Sequence, residues 1–382
     1  RLQQPVAARA EVKEVDLFIE KLYHFRIEEF IADNVSDFSI YGLQGETRQI
    51  SLGHADGTSR MLIIGDDIQD KPGYVFARRA DDTSVFSLSA DVLQLVNVPA
   101  ERFRNAGLLS VTPGSISSIK ITHGEEQLSM AYDGSKSWNI TSPMVWEADP
   151  QSISDFVALW FAGVVTEFDV VTNKISAEWI FEFGSAEPGV TNRLEILPTK
   201  GSKDGLLIRR DDDPSVYRIN LPVVPEGIIN PLVYKNRRVW NLNPDLIDKV
   251  TLQKEGAAQQ IVERLEDRSF SPVGTNGNVR VNDRALSKLM RKLQRVDTPG
   301  YITYNPRDLD IYGLAEPAAE LHISLSDSNQ LGRVLLVGRE TSEGFYSMVK
   351  GRDVIFYLEK SVVDILTADL IQNFEVVAPA AE

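Results

Sequence analysis

The sequence predicts an α+β protein of three tandem homologous modules, each a small, mostly antiparallel sheet packed on one main helix. Three observations predict it: a segment near the N-terminus recurs near the C-terminus, alternating apolar runs mark strands, and one apolar helical stripe accompanies each group of strands. Residues 30–43 set against residues 301–314 match without a gap at 7 of 14 positions, where ordinary residue usage gives about one. The order continues downstream. Leu62-Ile63-Ile64-Gly65 answers Leu335-Leu336-Val337-Gly338, Gly73-Tyr74 answers Phe345-Tyr346, and Val85-Phe86-Ser87-Leu88 answers Ile355-Phe356-Tyr357-Leu358. A middle copy is tied in by Pro5, Ala10, Phe18 and Phe30 against Pro143, Ala148, Phe156 and Phe168, each offset by 138. Phe103, Asn105, Pro113, Ile116 and Ile119 likewise match Tyr234, Asn236, Pro244, Ile247 and Val250, each offset by 131.

These matches place module one at residues 1–104, a degenerate module two at 105–235, module three at 236–376 and a flexible tail at 377–382. The elements follow in order. Val12, Val15, Phe18, Ile19 and Leu22 recur at three- and four-residue steps, which is one face of a helix. Ile153, Phe156, Val157 and Trp160 do the same in the second copy, and Leu286, Leu289, Met290 and Leu293 in the third. Asp149-Pro150 and Asn282-Asp283 supply helix-capping chemistry just ahead of the last two. A loop around Tyr41-Gly42-Leu43 and Tyr312-Gly313-Leu314 comes next, with Pro317 after the later one; the middle copy keeps only Phe183-Gly184. Its glycine permits a positive φ at a tight turn, while Tyr and Leu anchor the turn on a core. Short strands at 48–52, 61–64, 74–77 and 85–88 follow, split by Gly, Asp and Pro turns, and a short helix at 92–96 or 362–366 closes the unit. Alternation at 116–121 and 250–252 marks strands with one buried face ahead of the second and third helices. Module one opens directly on its helix, so its leading strands are expected upstream of Arg1.

Composition narrows the function. With 43% hydrophobic and 25% charged residues the chain has the balance of a soluble globular protein. Forty basic against fifty-five acidic residues leave a net charge of −15, which repels phosphate backbones and excludes nucleic acid as an expected partner. The absence of cysteine excludes disulfides, thiolate zinc sites, iron–sulfur clusters and a cysteine nucleophile. The longest apolar run, residues 156–165, is half of what a bilayer span needs. The opening Arg-Leu-Gln-Gln-Pro has neither an initiator Met nor a signal core, which reads as a trimmed chain.

Chemical motifs are scarce. His24, His54, His123 and His322 show no ligating spacing, and no nucleophile elbow, phosphate loop or dinucleotide fingerprint occurs. Asp66-Asp67, Asp81-Asp82 and Asp211-Asp212-Asp213 lack the alternating spacing of a calcium loop and read as solvated turns. The basic doublets at 78–79, 209–210 and 237–238 are too isolated for a nucleic-acid stripe. No catalytic, cofactor-binding or metal-binding residue is therefore assigned, and the chain is not expected to be an enzyme. Trp146, Trp160, Trp179 and Trp240 cluster in the middle third, and most of them read as core. Trp146 beside Pro143 is the candidate contact for a sugar or a partner peptide.

The order Trp138-Asn139-Ile140, Pro143, Ala148-Asp149, helix, Tyr312-Gly313-Leu314 with Pro317, then Leu-x-x-Gly and Val-x-x-Leu strands resembles a known bacterial family. It is similar to the repeated domain of unknown function in proteins encoded beside gliding-motility-type ABC transporters. The likeness runs from Pro5 to about Phe374; the eroded middle motif and Gln44-Gly45-Glu46, where a proline is due, depart from it. The resemblance implies a periplasmic protein, held to the inner membrane by an N-terminal segment ahead of Arg1. An ABC transporter permease or a companion envelope subunit is then the implied partner. It carries over no catalytic residues. The expected function is a non-catalytic accessory and interaction subunit; the alternative is an envelope glycan- or peptide-binding module using an inter-module groove.

Overall fold

Strand is what these residues mostly form. In the computed structural model 42% of the chain is strand and 20% helix, arranged as antiparallel sheets with small helices. The structure describes residues 1–45, 48–135, 137–170, 175–198, 205–210, 213–221, 223–275, 278–326 and 332–373, Pro214 by its backbone alone. The chain divides into two compact units. Unit 1 comprises Arg1–Gly114, Leu159–Phe181 and Val190–Val224; unit 2 comprises Ser115–Ala158, Glu182–Gly189 and Pro225–Glu382.

Unit 1 holds a five-stranded sheet in the order Glu29–Ala32, Val85–Ser89, Tyr74–Arg79, Ser59–Asp67, Arg48–Gly53. Alternation gives it two apolar faces. One carries Ile50, Ile64, Val75, Ala77, Phe86 and Leu88 under Phe18 and Leu22 of the helix Val12–His24 and Val92 and Leu95 of the helix Val92–Val96. The other carries Ile63 and Val85 against Leu43, Tyr41 and Phe76. The same unit pairs Val165–Glu167, Asp213–Ile219, Leu207–Arg210 and Thr191–Leu197 in that order.

Unit 2 holds an eight-stranded sheet: Phe270–Pro272, Gln260–Arg264, Ile247–Lys254, Ala319–Leu325, Arg333–Thr341, Gly344–Val349, Val354–Leu358, Tyr301–Tyr304. The helix Asp283–Leu293 starts where the Asn282 side chain accepts from the Ala285 amide, and it buries Ala285, Leu286, Leu289 and Leu293 in the core of that sheet. A four-strand meander, Ile116–His123, Glu126–Tyr132, Trp138–Ser142 and Trp146–Glu147, belongs to the same unit.

The expectation of three α+β modules, each packed on one main helix, is overturned by these sheets. Of the three expected main helices, Val12–His24 buries none of its residues and Pro150–Ala162 is divided between the two units. Pro150–Ala162 does bury Ile153, Phe156, Val157 and Trp160, and Asp283–Leu293 buries its apolar face against the eight-stranded sheet. The physical reason is one of signal strength. A 3.6-residue stripe is conspicuous over three turns, whereas strands of two to nine residues interrupted by turns are weak signals that add up to most of the ordered backbone.

The recurrent loop has the same local geometry at both ends of the chain. Ser39–Tyr41 and Asp310–Tyr312 form single 3-10 turns, stopped by Gly42 at φ +63 and Gly313 at φ +64. Leu43 and Leu314 follow into the core. The glycine of each Leu-x-x-Gly strand lets that turn sit on the sheet: a Cβ on Gly65 would lie 2.2 Å from the Tyr41 carbonyl oxygen, and one on Gly338 2.3 Å from that of Tyr312. Tyr41 meets Phe76 edge-on at 5.1 Å, and Tyr312 meets Tyr346 at the same distance. Strand register pairs Ala77 with Phe86 and Ser347 with Phe356, so Phe76 rather than Tyr74 stands where Tyr346 does. The sequence alignment is two residues out at that strand.

Candidate functional site

The Trp138–Ser142 strand ends at a cis Ser142–Pro143 peptide, as the aligned Pro5 also follows a cis bond. The chain then turns back, so that Trp146 pairs with Ile140. Pro143 thereby lines a cleft of about 610 Å³ within unit 2, floored by Ile229, Pro231, Leu232 and Ile302. Thr303 and Tyr304 line it as well, as do Glu125 and Glu126 from the turn of a hairpin. Asn230 positions part of the floor: its side chain caps the helical turn Pro231–Tyr234 by accepting from the Leu232 amide at 3.0 Å.

Trp146 is half-buried and stands edge-on to Tyr304, ring centroids 5.7 Å apart. Beside it lies Lys235, whose Nζ is 4.8 Å from the Trp146 ring and 5.2 Å from that of Tyr301. Both distances fall in the range where a ring quadrupole attracts a cation. Burial, reinforced by the Arg352 charge and opposed by Glu147, pushes the Lys235 ammonium down to about 8. Among the described residues its Nζ has no hydrogen-bond or ion-pair acceptor. The surrounding backbone is tied down. Tyr301 donates to the Asn236 carbonyl at 2.6 Å, the Asn236 side chain donates to Glu147 at 2.6 Å, and the Asn236 amide donates to the Glu147 carbonyl at 2.9 Å. Burial pushes the phenols of Tyr301 and Tyr234 up. The cleft thus mixes apolar residues (Pro143, Pro231, Ile302) with polar ones (Asn230, Thr303, Tyr304), and the Trp146–Lys235 pair lies next to Tyr304 on its border.

The other sequence-predicted residues lie elsewhere. Tyr41, Gly42, Leu43, Tyr312, Gly313 and Leu314 hold the turns described above, and half-buried Pro317 precedes the strand Ala319–Leu325. Phe183 is fully buried and stacks on Phe156 at 6.0 Å, while a Cβ on Gly184 would meet the Ser118 hydroxyl at 2.3 Å. Trp160 and Trp240 are core residues. Asp82 is held at about 2 by the hydrogen bond from Arg79, with Ser84 assisting. Asp211, Asp212, Glu46 and the tail 377–382 lie outside the described residues. Among the described residues no three metal-ligating side chains cluster, and no helix is long and apolar enough to cross a membrane.

Sequence reasoning missed a buried polar network in unit 1. Asp213, read as part of a solvated run, is 1% exposed and accepts from Tyr217. Arg104 bonds Asp169 and Tyr217, and Arg210 donates to the Gly107 carbonyl at 2.8 Å while lying 3.6 Å from Asp213. Burial and then the bond to Asp213 push the Tyr217 phenol up. The available signal was parity. Positions 213, 217 and 219 share one face of a strand, and all three point inward.

The model of one protein family, described as a domain of unknown function (DUF4340), matches residues 1–173 and 273–374. No curated protein matches the chain, and no solved structure does.

Proposed function

The chain belongs to the DUF4340 domain-of-unknown-function family, and from that premise we propose that it is a non-catalytic interaction subunit of an ABC-transporter-type envelope system. In this reading it works on the periplasmic side of the inner membrane, tethered by a segment ahead of Arg1, and a permease or companion subunit docks in the cleft of unit 2. The observation that carries the proposal is that cleft of about 610 Å³, where Pro143, Pro231 and Ile302 line it together with polar residues, beside the Tyr304–Trp146 edge pair. Burying apolar floor and aromatic edge is how partner surfaces gain most of their affinity. The test is affinity purification from solubilised membranes with a photo-crosslinking residue at Ile302. Crosslinks to a transporter component, lost in Tyr304→Ala, are expected; recovery of the protein free of any such component counts against the proposal.

A second reading, binding of an envelope glycan or peptide, is favoured by the Trp146–Tyr304 pair. It expects a saturable change in tryptophan fluorescence on titration with cell-wall fragments, absent in Trp146→Phe.

A further inference from the structure

The chain enters its first helix as it enters its second. Leu2 pairs antiparallel with Ala8, as Ile140 does with Trp146 138 residues later. The Glu11 amide donates to the Phe103 carbonyl at 2.7 Å, and the Asn105 amide to the Arg9 carbonyl at 3.0 Å. Bond for bond, at the offsets of 138 and 131, the Asp149 amide donates to the Tyr234 carbonyl at 2.7 Å and the Asn236 amide to the Glu147 carbonyl at 2.9 Å. Residues 2–11 are thus the structural counterpart of residues 140–149. On its other side Ile140 pairs with Met130, of the hairpin Ile116–His123 and Glu126–Tyr132 that precedes it. Among the described residues Leu2 has no such second neighbour.

The third copy shows where such a hairpin goes. Ala319–Leu325, Ile247–Lys254, Gln260–Arg264 and Phe270–Pro272 lie side by side in that order, Leu252 opposite Leu321 and Val250 opposite Ile323. These four side chains are at most 1% exposed. The counterpart of Ala319–Leu325 is Arg48–Gly53, for Ile50 lies opposite Leu62 as Leu321 lies opposite Leu335. Arg48–Gly53, however, ends its sheet. Leu52 there is only half-buried, and with Ile50 and Leu62 it lines an open groove of about 360 Å³ in which Ile27 is 44% exposed. The helices show the same shortfall. Pro150–Ala162 and Asp283–Leu293, which follow hairpins, bury four residues each, whereas Val12–His24 buries none.

We infer that the free edge of Arg48–Gly53 is the seat of a β-hairpin of this same polypeptide, carried directly ahead of Arg1. Its second strand pairs with Leu2 as Glu126–Tyr132 pairs with Trp138–Ser142, and its first pairs antiparallel with Arg48–Gly53 as Ile247–Lys254 pairs with Ala319–Leu325. Connectivity selects this occupant. In both complete copies the hairpin runs after a short connection into the strand that Leu2 continues, so the hairpin of the first copy falls within roughly the 25 residues ahead of Arg1. An unpaired edge leaves a row of backbone donors and acceptors, which the hairpin pairs, and its alternate side chains cover the groove. Apolar residues stand opposite Ile50 and Leu52, in the places of Leu252 and Val250. The inference asks nothing of the cleft in unit 2 or of its partner.

Hydrogen–deuterium exchange tests this by comparing the chain that begins at Arg1 with the same chain carrying the residues encoded ahead of it. In the longer chain the Arg48–Gly53 amides that face away from Ser59–Asp67 are expected to exchange at least about tenfold more slowly, whatever the protein concentration. Joining residues 116–138 of this chain directly to Arg1 gives the same protection, because residue 138 leads into 139 as the missing residue leads into Arg1. Ile119→Asp and Ile121→Asp in that added copy abolish it and leave residues 1–382 untouched. Equal exchange in the natural longer chain and the chain from Arg1 overturns the inference. So does an upstream sequence without two alternating apolar runs. Protection already present from Arg1 that grows with a dimer in sedimentation assigns the edge to a second copy and overturns it as well. None of these results bears on crosslinks formed from Ile302 in membranes, so the two readings fail separately.

Discussion

Replacing Lys235 with Met removes a cation that unit 2 holds at an energetic cost. Burial and Arg352 push the ammonium from 10.5 down to about 8. At roughly 1.4 kcal/mol per unit such a shift corresponds to about 3 kcal/mol. Partial solvent access and attraction to two rings, worth about 0.5–1 kcal/mol each, bring the net to about 1–2 kcal/mol. The folded value lies below the unfolded one, which fixes the sign. Below pH 8 both states carry the proton and the penalty is constant. Between pH 8 and 10.5 the folded protein releases a proton that the unfolded chain keeps, so stability rises through that window. The raised phenols of Tyr234 and Tyr301 act oppositely at higher pH, but they are common to both proteins and cancel in the difference. Urea unfolding of wild type and Lys235→Met at pH 7, 8, 9 and 10 measures it. The wild type is expected to gain about 1–2 kcal/mol on the variant across the window. Curves that stay parallel from pH 7 to 10 would show that Lys235 is solvated like any surface lysine.

Other perturbations have equally direct readouts. Gly338→Ala puts a methyl 2.3 Å from the Tyr312 carbonyl and 2.9 Å from that of Gly313, backbone that has nowhere to go. A loss of about 2–3 kcal/mol in chemical denaturation is expected, whereas Gly114→Ala, with nothing within 4 Å, changes little. Asp213→Asn keeps an acceptor for Tyr217 but leaves the Arg210 guanidinium uncompensated, and should cost about 3 kcal/mol by the same measurement. Tyr304→Asp introduces the residue found at the matched position 33 and should abolish crosslinking from Ile302. Because Tyr304 is half-buried, its thermal midpoint should move by only a few degrees, equivalent to about 1 kcal/mol.

The legible parts of the sequence are those encoded locally. The stripe Val12, Val15, Phe18, Ile19, Leu22 gives the helix Val12–His24, and the stretch 92–96 gives the helix Val92–Val96. Strands expected at 48–52 and 85–88 appear as Arg48–Gly53 and Val85–Ser89. Glu29–Ala32 and Tyr301–Tyr304 are not marked as strands by the sequence, because neither alternates cleanly; partners more than 50 residues away, such as Ser87 for Glu29 and Phe356 for Tyr301, make them strands. Pro143 is legible as part of the site through its place beside an aromatic residue. Lys235 is not, because its perturbation comes from Trp146, Tyr301 and Arg352, which only the folded chain brings together. Asp213 is misread for the same reason: whether a carboxylate at a strand end is solvated depends on what arrives above it.

Residues shared by the two best-matched segments and residues that differ between them divide by role. Asn34 and Asn305 both adopt positive φ, Gly42 and Gly313 both stop a 3-10 turn, and Tyr41 and Tyr312 both rest on an aromatic strand residue. Each serves backbone geometry, so each is tolerated in both places. One residue before the asparagines stand Asp33 and Tyr304, and the parallel ends there. Tyr304 turns its ring to Trp146 and walls the cleft, while the strand that precedes Asp33 leaves Phe30 61% exposed. Tyr301–Tyr304 is half-buried throughout, whereas Glu29–Ala32 is largely exposed. A frame used twice with different cladding thus yields a cleft lined by Tyr304 in one unit and an exposed Phe30 in the other.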